Sequence, residues 1–437
     1  MCIQQAVILC GGRGTRLGAL AKAVPKPMLP VGGRPVLDHV IEVLAAAGVR
    51  RFILAAGHQG EVIAEYFAGA RADGLLIETQ IETAALGTAG AVRALAGRLD
   101  EHFVLAYGDV FLDFDARALL AAHERERPLA TLLARASDHP WDSDLLVADE
   151  AGRVREFVHG REPGRRYANL ANAAVQVLAR EVLDFVPEGR ASDFGAEVYP
   201  QVVAAGGAVR VHELESEGFV KDMGTPERLA AVESYLEERA AAAAARAMPG
   251  PLRTVLLDRD GVLTPDLGPG ARAEALTLLP GVGEALVRLR RRGLRCVVVT
   301  NQPGVARGLI TAAEVEAAHE RLRALAAAAG GEIAAVFHCP HHPETQHGEG
   351  VAELRRGCRC RKPAPGLIFR AWREAGVELA GAVMVGDREV DVRAGRAAGV
   401  RTVRIGVEGG DEVRAGARFD SLLAFAEALE NGAAPGL

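Results

Sequence analysis

Residues 339 to 362 read CPHHPETQHGEGVAELRRGCRCRK and present Cys339, His341, Cys358 and Cys360 as two ligand pairs on either side of a loop. Three thiolates and one imidazole make a tetrahedral zinc shell. Four protein ligands leave no open position for water, so such a zinc is structural and holds a loop with no hydrophobic core of its own. His338, His342 and His347 lie nearby and read as bystanders, one of them at most an alternate ligand. Upstream, LLDRDGVLT at 256 to 264 places Asp258 and Asp260 two residues apart at the end of an apolar run. A paired carboxylate beside a zinc loop points to chemistry on phosphate esters.

Hydrolysis of a phosphate ester through a covalent intermediate needs a carboxylate nucleophile, an acid/base, a metal and donors for phosphate oxygens. Asp258 ends the run VLL and is the candidate nucleophile, with Asp260 just beyond it to protonate the leaving oxygen. Gly261 lets the chain turn away. Thr300 and Asn301 end LRCVVVTN and offer short donors, and Lys362 supplies a cation for developing charge. Asp387 ends AVMVGD and is expected to hold Mg²⁺ with Asp258 and Asp260, while Asp391 orients that shell.

The first half carries a different set. AVILCGGRGTRLG at 6 to 18 is a strand followed by a glycine loop, in which Gly11, Gly12 and Gly14 let backbone N–H groups face phosphates and Arg16 adds charge. The spacing is not the dinucleotide fingerprint. Lys26 stands between two prolines, a stiff mount for a cation. ETAALGTAGAV at 82 to 92 is a second glycine turn. Asp109 ends FVLAYGD as a Mg²⁺ ligand, and Asp222 in FVKDMGTPE is a candidate second one.

The elements that must position these groups are strands alternating with helices: AVILC, RFILAAG, HFVLAYGD, TVLLDRD, LRCVVVTN and AVMVGD are the strand-like runs. That alternation predicts α/β architecture, two Rossmann-like parallel-sheet domains covered by helices. The 437 residues exceed one ordinary core. The break falls at EERAAAAAARAMPGP, so the first domain is expected at 1–236, an Ala-rich helix end and linker at 237–251, and the second domain at 252–437. A net charge of −6 gives no electrostatic case for nucleic acid. No apolar run approaches the roughly 18 residues of a membrane span, and the N-terminus has no signal-peptide pattern. Six cysteines, three of them in the zinc-like cluster, imply no disulfide framework and a reducing cytoplasm. Homo-oligomer formation is left open.

The DRDG, TNQ, KP and GD elements of the second half resemble, in order, the four motifs of the haloacid dehalogenase superfamily. The inserted Cys-x-His…Cys-x-Cys, with TNQPGVARG at 300 to 308 and CRCRKPAPG at 358 to 366, is similar to the D-glycero-D-manno-heptose 1,7-bisphosphate phosphatases and their histidinol-phosphate relatives. That resemblance implies a nearly capless domain, with Arg361 contacting the distal substrate phosphate and Arg307 a further substrate contact. Thr264-Pro265 departs from the family, which commonly has an Asn after DRDGV-aliphatic.

The first half resembles the sugar-phosphate nucleotidyltransferases, which join an NTP to a sugar 1-phosphate and release pyrophosphate. The resemblance implies that Gly11, Gly12, Gly14, Thr15 and Arg16 hold the triphosphate and that Lys26 contacts phosphate in the transition state. Gly87 and Thr88, with Glu82 nearby, face base and sugar, and Asp109 and Asp222 bind Mg²⁺. Two departures stand out. The family's Glu-Lys after REFV is His159-Gly160 here, so Arg161, Arg165 or Lys221 must meet the sugar phosphate. The family's Asn-x-Gly is Asn172-Ala173-Ala174, whose Asn172 can still bind sugar hydroxyls. Together the two resemblances imply consecutive steps: loss of the 7-phosphate of a heptose bisphosphate, then nucleotidyl transfer to heptose 1-phosphate, with GTP favoured. Another sugar phosphate or histidinol phosphate as substrate, and a first half that senses a nucleotide sugar, remain as alternatives.

Overall fold

Gln5–Leu9 (β1) is buried along its whole length, as expected of a strand covered on both faces. In the computed structural model, which describes residues 3–12, 24–68, 74–140, 143–159, 167–215, 217–343, 350–406 and 415–434, the chain divides into two compact units, 1–235 and 236–437. Gly14, Thr15, Arg16, Gly160, Arg161, Arg165 and His347 lie outside the described residues.

In the first unit β1 runs parallel to Arg51–Ala56 (β2) on one side, which pairs with Leu76–Ile81 (β3), and to His102–Tyr107 (β4) on the other. The parallel part is therefore ordered β3-β2-β1-β4, and the chain reverses its direction of winding between β1 and β4. Ligands bind at such a switch point, beyond the carboxyl ends of the strands. Val110–Asp113 (β5) follows β4, and Ala130–Arg135 (β6), Leu145–Ala148 (β7), Val154–Val158 (β8), Ala171–Ala179 (β9) and Val209–Glu213 (β10) extend the sheet beyond β4. Phe219–Asp222 (β11) pairs antiparallel with β5. Strand alternation splits the core between the two faces: Ala6, Ile8, Val104 and Ala106 join Leu37, Val40 and Ile41 of Val36–Ala46 (α1). Val7, Leu9, Phe103 and Leu105 face Ala89 and Val92 of Gly87–Arg93 (α2).

The second unit is a six-stranded, fully parallel sheet. Thr254–Leu257 (β12), Arg295–Asn301 (β13), Ala335–Cys339 (β14), Ala382–Gly386 (β15), Arg401–Ile405 (β16) and Ala417–Phe419 (β17) lie in the order β14-β13-β12-β15-β16-β17. This is the doubly wound order with its switch point between β12 and β15. Val255 and Leu257 pack on one face with Val282–Arg291 and Leu422–Glu430, and Leu256 on the other.

Residues 237–251, expected as helix end and linker, are helical to Ala247 within Pro226–Ala247 (α3). Within the first unit Tyr235 stacks on Phe219 and donates to Asp113 at 2.7 Å. Within the second, Ala242 and Ala245 are buried in the core, and the buried Glu238 accepts from Arg373 at 2.7 Å and from Arg359. The alanines have a packing reason. A Cβ on Gly399 would stand 2.2 Å from the Ala242 carbonyl oxygen, so the helix backbone passes too close for any side chain at 399.

Candidate active sites

At the second unit's switch point, the residues following β12 and β15 meet. Lys362 is buried between two carboxylates, with Nζ 2.9 Å from Asp258 Oδ1 and 2.5 Å from Asp391 Oδ1. Burial, opposed by Lys362 and reinforced by Asp391, pushes the Asp258 carboxyl up to about 6. Burial pulls Lys362 down, but the charges of Asp258 and Asp391 prevail and its proton is held more firmly than usual. Donor oxygens of Asp258, Asp387 and Asp391 lie within 4.8 Å of one another. Asp387 Oδ1 is buried with no hydrogen-bond partner among the described residues, and burial and Asp258 raise its carboxyl. An oxygen-only set with an unsatisfied buried carboxylate oxygen suits Mg²⁺.

Asp260, expected as acid/base and metal ligand, stands apart from that group because its oxygens are already taken. Arg259 Nε and Nη2 donate to them at 2.9 Å each, and Gln302 Nε2 donates at 2.8 Å. Gln302 also donates to the Thr300 hydroxyl at 3.0 Å, which aims that buried side chain. Asn301, expected on substrate, is turned to the backbone of Lys362. Its amide donates to the Lys362 carbonyl and accepts from the Lys362 N–H, both at 3.0 Å. It therefore fixes the lysine. Gly261, at φ +82°, is required twice, for its backbone and because a Cβ would sit 2.2 Å from Asp387 Oδ2. A cavity of about 300 Å³ opens above Asp258, Asp260 and Thr300, with Arg307, Arg361 and Arg388 among its lining residues. Three cations beside a phosphate-sized floor fit a substrate with a second anionic group.

The four zinc candidates converge. Cys339 Sγ lies 3.6 Å from Cys358 Sγ and 3.4 Å from Cys360 Sγ, and His341 Nδ1 lies 3.2 Å from Cys360 Sγ. Thiolates about 2.3 Å from a shared tetrahedral ion stand roughly 3.8 Å apart, so the donor set fits zinc. Hydrogen bonds among the three thiols push Cys358 down and Cys339 and Cys360 up, so binding a metal at this cluster releases protons.

In the first unit β1 is followed by Cys10, Gly11 and Gly12, and β4 by Gly108 and Asp109, on either side of the switch point. Lys26 Nζ approaches Asp109 Oδ2 at 3.3 Å. Burial, with the charges of Asp109 and Glu82, pushes the Cys10 thiol up, which places both carboxylates at the same strand ends. Burial also raises the half-buried Glu82. Asp222 lies opposite Val110, and the Met223 amide donates to the Asp109 carbonyl at 2.9 Å, so the two Mg²⁺ candidates sit on adjoining strands. Asp222 is paired with Arg228.

A cavity of about 290 Å³ next to them is lined by residues including Tyr107, Arg135, His139, Asn172 and Asp222. Lys221, a candidate for the sugar phosphate, is spent on Asp138. His159 pairs with Asp144 at 3.2 Å. Arg135 escaped the sequence reading. It is mostly buried and its nearest carboxylate oxygen in an ion pair, on Asp138, is 3.9 Å away, so among the described residues it is the arginine that lines this cavity. Gly87, at φ +70°, has room for no side chain, since a Cβ would lie 2.5 Å from the Ser192 carbonyl oxygen. Thr88, expected at base and sugar, instead donates to Asp193 at 2.8 Å and accepts from the Phe194 amide at 3.0 Å, bracing that turn. Asn172 accepts from the Ala174 amide at 3.2 Å.

Fold and sites define an α/β protein with a nucleotidyltransferase-type unit followed by a haloacid dehalogenase-like unit. Residues 5–239, more than half of the chain, match the nucleotidyl transferase family, and the chain belongs to that family. Residues 359–422 match a family described as HAD-hydrolase-like. A mannose-1-phosphate guanylyltransferase of Mycobacterium tuberculosis is 36% identical over 224 residues, 51% of this chain and 61% of that protein. The mannose-1-phosphate guanylyltransferase catalytic subunit beta of Danio rerio is 31% identical over 59% of this chain and 72% of its own length. A UTP–glucose-1-phosphate uridylyltransferase of Synechocystis is 25% identical, again matched over 56% of its length, so the chain spans little more than half of some relatives. Among solved structures, HddC from Yersinia pseudotuberculosis complexed with GMP-PN is 22% identical with a TM-score of 0.46, covering 54% of this chain and all of that one, a likeness too loose to bear on function.

Proposed function

We propose that the chain is a bifunctional enzyme of nucleotide-sugar synthesis, acting in the cytoplasm. The second unit removes a phosphate from a sugar bisphosphate, and the first transfers a nucleotidyl group from an NTP to the resulting sugar 1-phosphate. The observation that carries this reading is the Asp258–Lys362–Asp391 cluster under an arginine-lined cavity, on the same chain as a nucleotidyl transferase domain. The favoured substrate is D-glycero-D-manno-heptose 1,7-bisphosphate, on the strength of CRCRKPAPG and TNQPGVARG. GTP is the favoured nucleotide because similar relatives are guanylyltransferases.

In the phosphatase step Asp258 attacks phosphorus and forms an acyl phosphate while the P–O bond to the sugar breaks. Asp260, aimed by Arg259 and Gln302, gives a proton to the departing oxygen and takes one from the water that then releases phosphate. Lys362 offsets charge on the transferring oxygens. Asp258, Asp387 and Asp391 would hold Mg²⁺, which would supply further charge neutralisation. In the transferase step an oxygen of the sugar phosphate attacks the α-phosphorus and pyrophosphate leaves. Lys26 meets the developing charge, Arg135 draws in the sugar phosphate, and Asp109 and Asp222 would hold Mg²⁺. Incubating the protein with the bisphosphate and Mg²⁺ tests the first step, and no inorganic phosphate would refute it. A second reading, a first unit that senses a nucleotide sugar and regulates the phosphatase, draws on His159-Gly160 standing where the resembled family has Glu-Lys and on the pairing of Lys221 with Asp138, which removes a cation from the sugar site. Pyrophosphate release from any NTP and sugar 1-phosphate excludes it.

A further inference from the structure

We propose that Glu316, His319 and His338 form a second transition-metal site in the phosphatase unit, separate from the cysteine cluster and from the Asp258 carboxylates. Glu316 and His319 are three apart on the helix Ala312–Ala328 (α4), so they share a face. His338 is the penultimate residue of β14, in register with Thr300 on β13. The two oxygens of Glu316 divide between the imidazoles, with Oε2 at 3.7 Å from His319 Nδ1 and Oε1 at 3.6 Å from His338 Nδ1. One donor atom from each residue lies within 4.8 Å of the others. Two donors each about 2.0–2.1 Å from a tetrahedral ion stand roughly 3.4 Å apart, so small side-chain adjustments close the shell.

A second observation points to a ligand. His319 is 1% exposed; its Nδ1 faces Glu316 at 3.7 Å, beyond hydrogen-bond reach, and its Nε2 is buried with no hydrogen-bond partner among the described residues, so the nitrogen facing Glu316 is open to a metal. A buried imidazole that makes so little use of its polar atoms is costly unless something else engages them.

The donor set also says which ion. Two imidazoles and one carboxylate select zinc, cobalt, nickel or iron over magnesium. Three protein ligands leave a position open to water, and the Glu316 side chain is 61% exposed, so this ion exchanges with solvent. Occupancy would tie α4 to the end of β14, one residue before Cys339 and beside the strand that carries Thr300.

The test is zinc stoichiometry of the purified full chain, dialysed with zinc in the presence of excess Mg²⁺ to occupy the oxygen-only sites. Two zinc equivalents per chain are expected, falling to one in His319→Gln and in His338→Gln. Cobalt substitution distinguishes the two sites, since only the cysteine cluster gives thiolate-to-cobalt absorption. Glu316→Gln, a surface change that leaves folding intact, should weaken the second equivalent at least about tenfold. One equivalent in the wild type, or two equivalents of unchanged affinity in all three variants, overturns the proposal.

Discussion

Gly261→Ala separates the account of the phosphatase site from a general loss of stability. Gly261 adopts φ +82°, where an alanine costs about 1–2 kcal/mol of backbone strain. The side chain has a second effect. Its Cβ would lie 2.2 Å from Asp387 Oδ2, while ordinary contact begins at 3.4 Å, so the carboxylate must withdraw by 3.4 − 2.2 = 1.2 Å. Asp387 is one of three carboxylates assigned to Mg²⁺, and misplacing a catalytic group by about 1 Å costs on the order of 100-fold in rate. Phosphate release is measured across a Mg²⁺ titration, with nucleotidyl transfer in the same preparation as the internal control. The expected result is a phosphatase kcat about 100-fold lower, a higher Mg²⁺ requirement, and transfer unchanged. Gly293→Ala is the companion variant. Its φ is +73° with nothing within 4 Å of a Cβ, so it carries the strain without the collision. Phosphatase activity within about threefold of wild type in Gly261→Ala, or equal losses in both variants, refutes the reasoning.

Four other outcomes follow from the same geometry. Asp258→Asn should abolish phosphate release and spare transfer to supplied sugar 1-phosphate. Because burial raises the Asp258 carboxyl and the nucleophile must be ionised, wild-type phosphatase kcat/KM should fall on the acid side, and the fall should move to lower pH as Mg²⁺ is raised, which pH–rate profiles at two Mg²⁺ concentrations check. Ala174→Gly should stabilise the protein. Ala174 sits at φ +64°, so glycine relieves about 1–2 kcal/mol of strain but adds about 0.4–1 kcal/mol of unfolded-state entropy, a net gain of about half to one kcal/mol readable in urea midpoints. Cys358→Ser should release one zinc equivalent and lower the phosphatase melting temperature while transfer persists.

Strand ends were the legible part of this chain. An apolar run closing on an aspartate announces both a buried parallel strand and a group at its carboxyl end. Asp258, Asp387 and Asp109 could therefore be placed by reading TVLLD, AVMVGD and FVLAYGD. The zinc loop was legible because its four ligands are close in sequence. What escaped depends on partners far apart in the chain. Nothing near Arg259 says that it will be buried against Asp260 and Gln302, forty-three residues on. Nothing near Asn301 says that its amide will clamp the Lys362 backbone across sixty-one residues. The same holds for Thr88, claimed by Asp193, for Asp222, claimed by Arg228, and for Lys221, claimed by Asp138. The approach of His338 to Glu316 and His319 was hidden because those two belong to a helix some twenty residues upstream. The alanine run read as composition until Gly399 showed how closely it must pack. Ala174 read only as a departure from the resembled Asn-x-Gly pattern until its positive φ showed that the backbone there suits glycine.

The most direct test of the central claim is one incubation of the full chain with Mg²⁺, each anomer of D-glycero-D-manno-heptose 1,7-bisphosphate and all four NTPs, read by mass spectrometry. The account predicts inorganic phosphate, pyrophosphate and a GDP-heptose from one anomer, with heptose 1-phosphate as the transient species. No phosphate released and no nucleotide sugar formed, from either anomer, would contradict it.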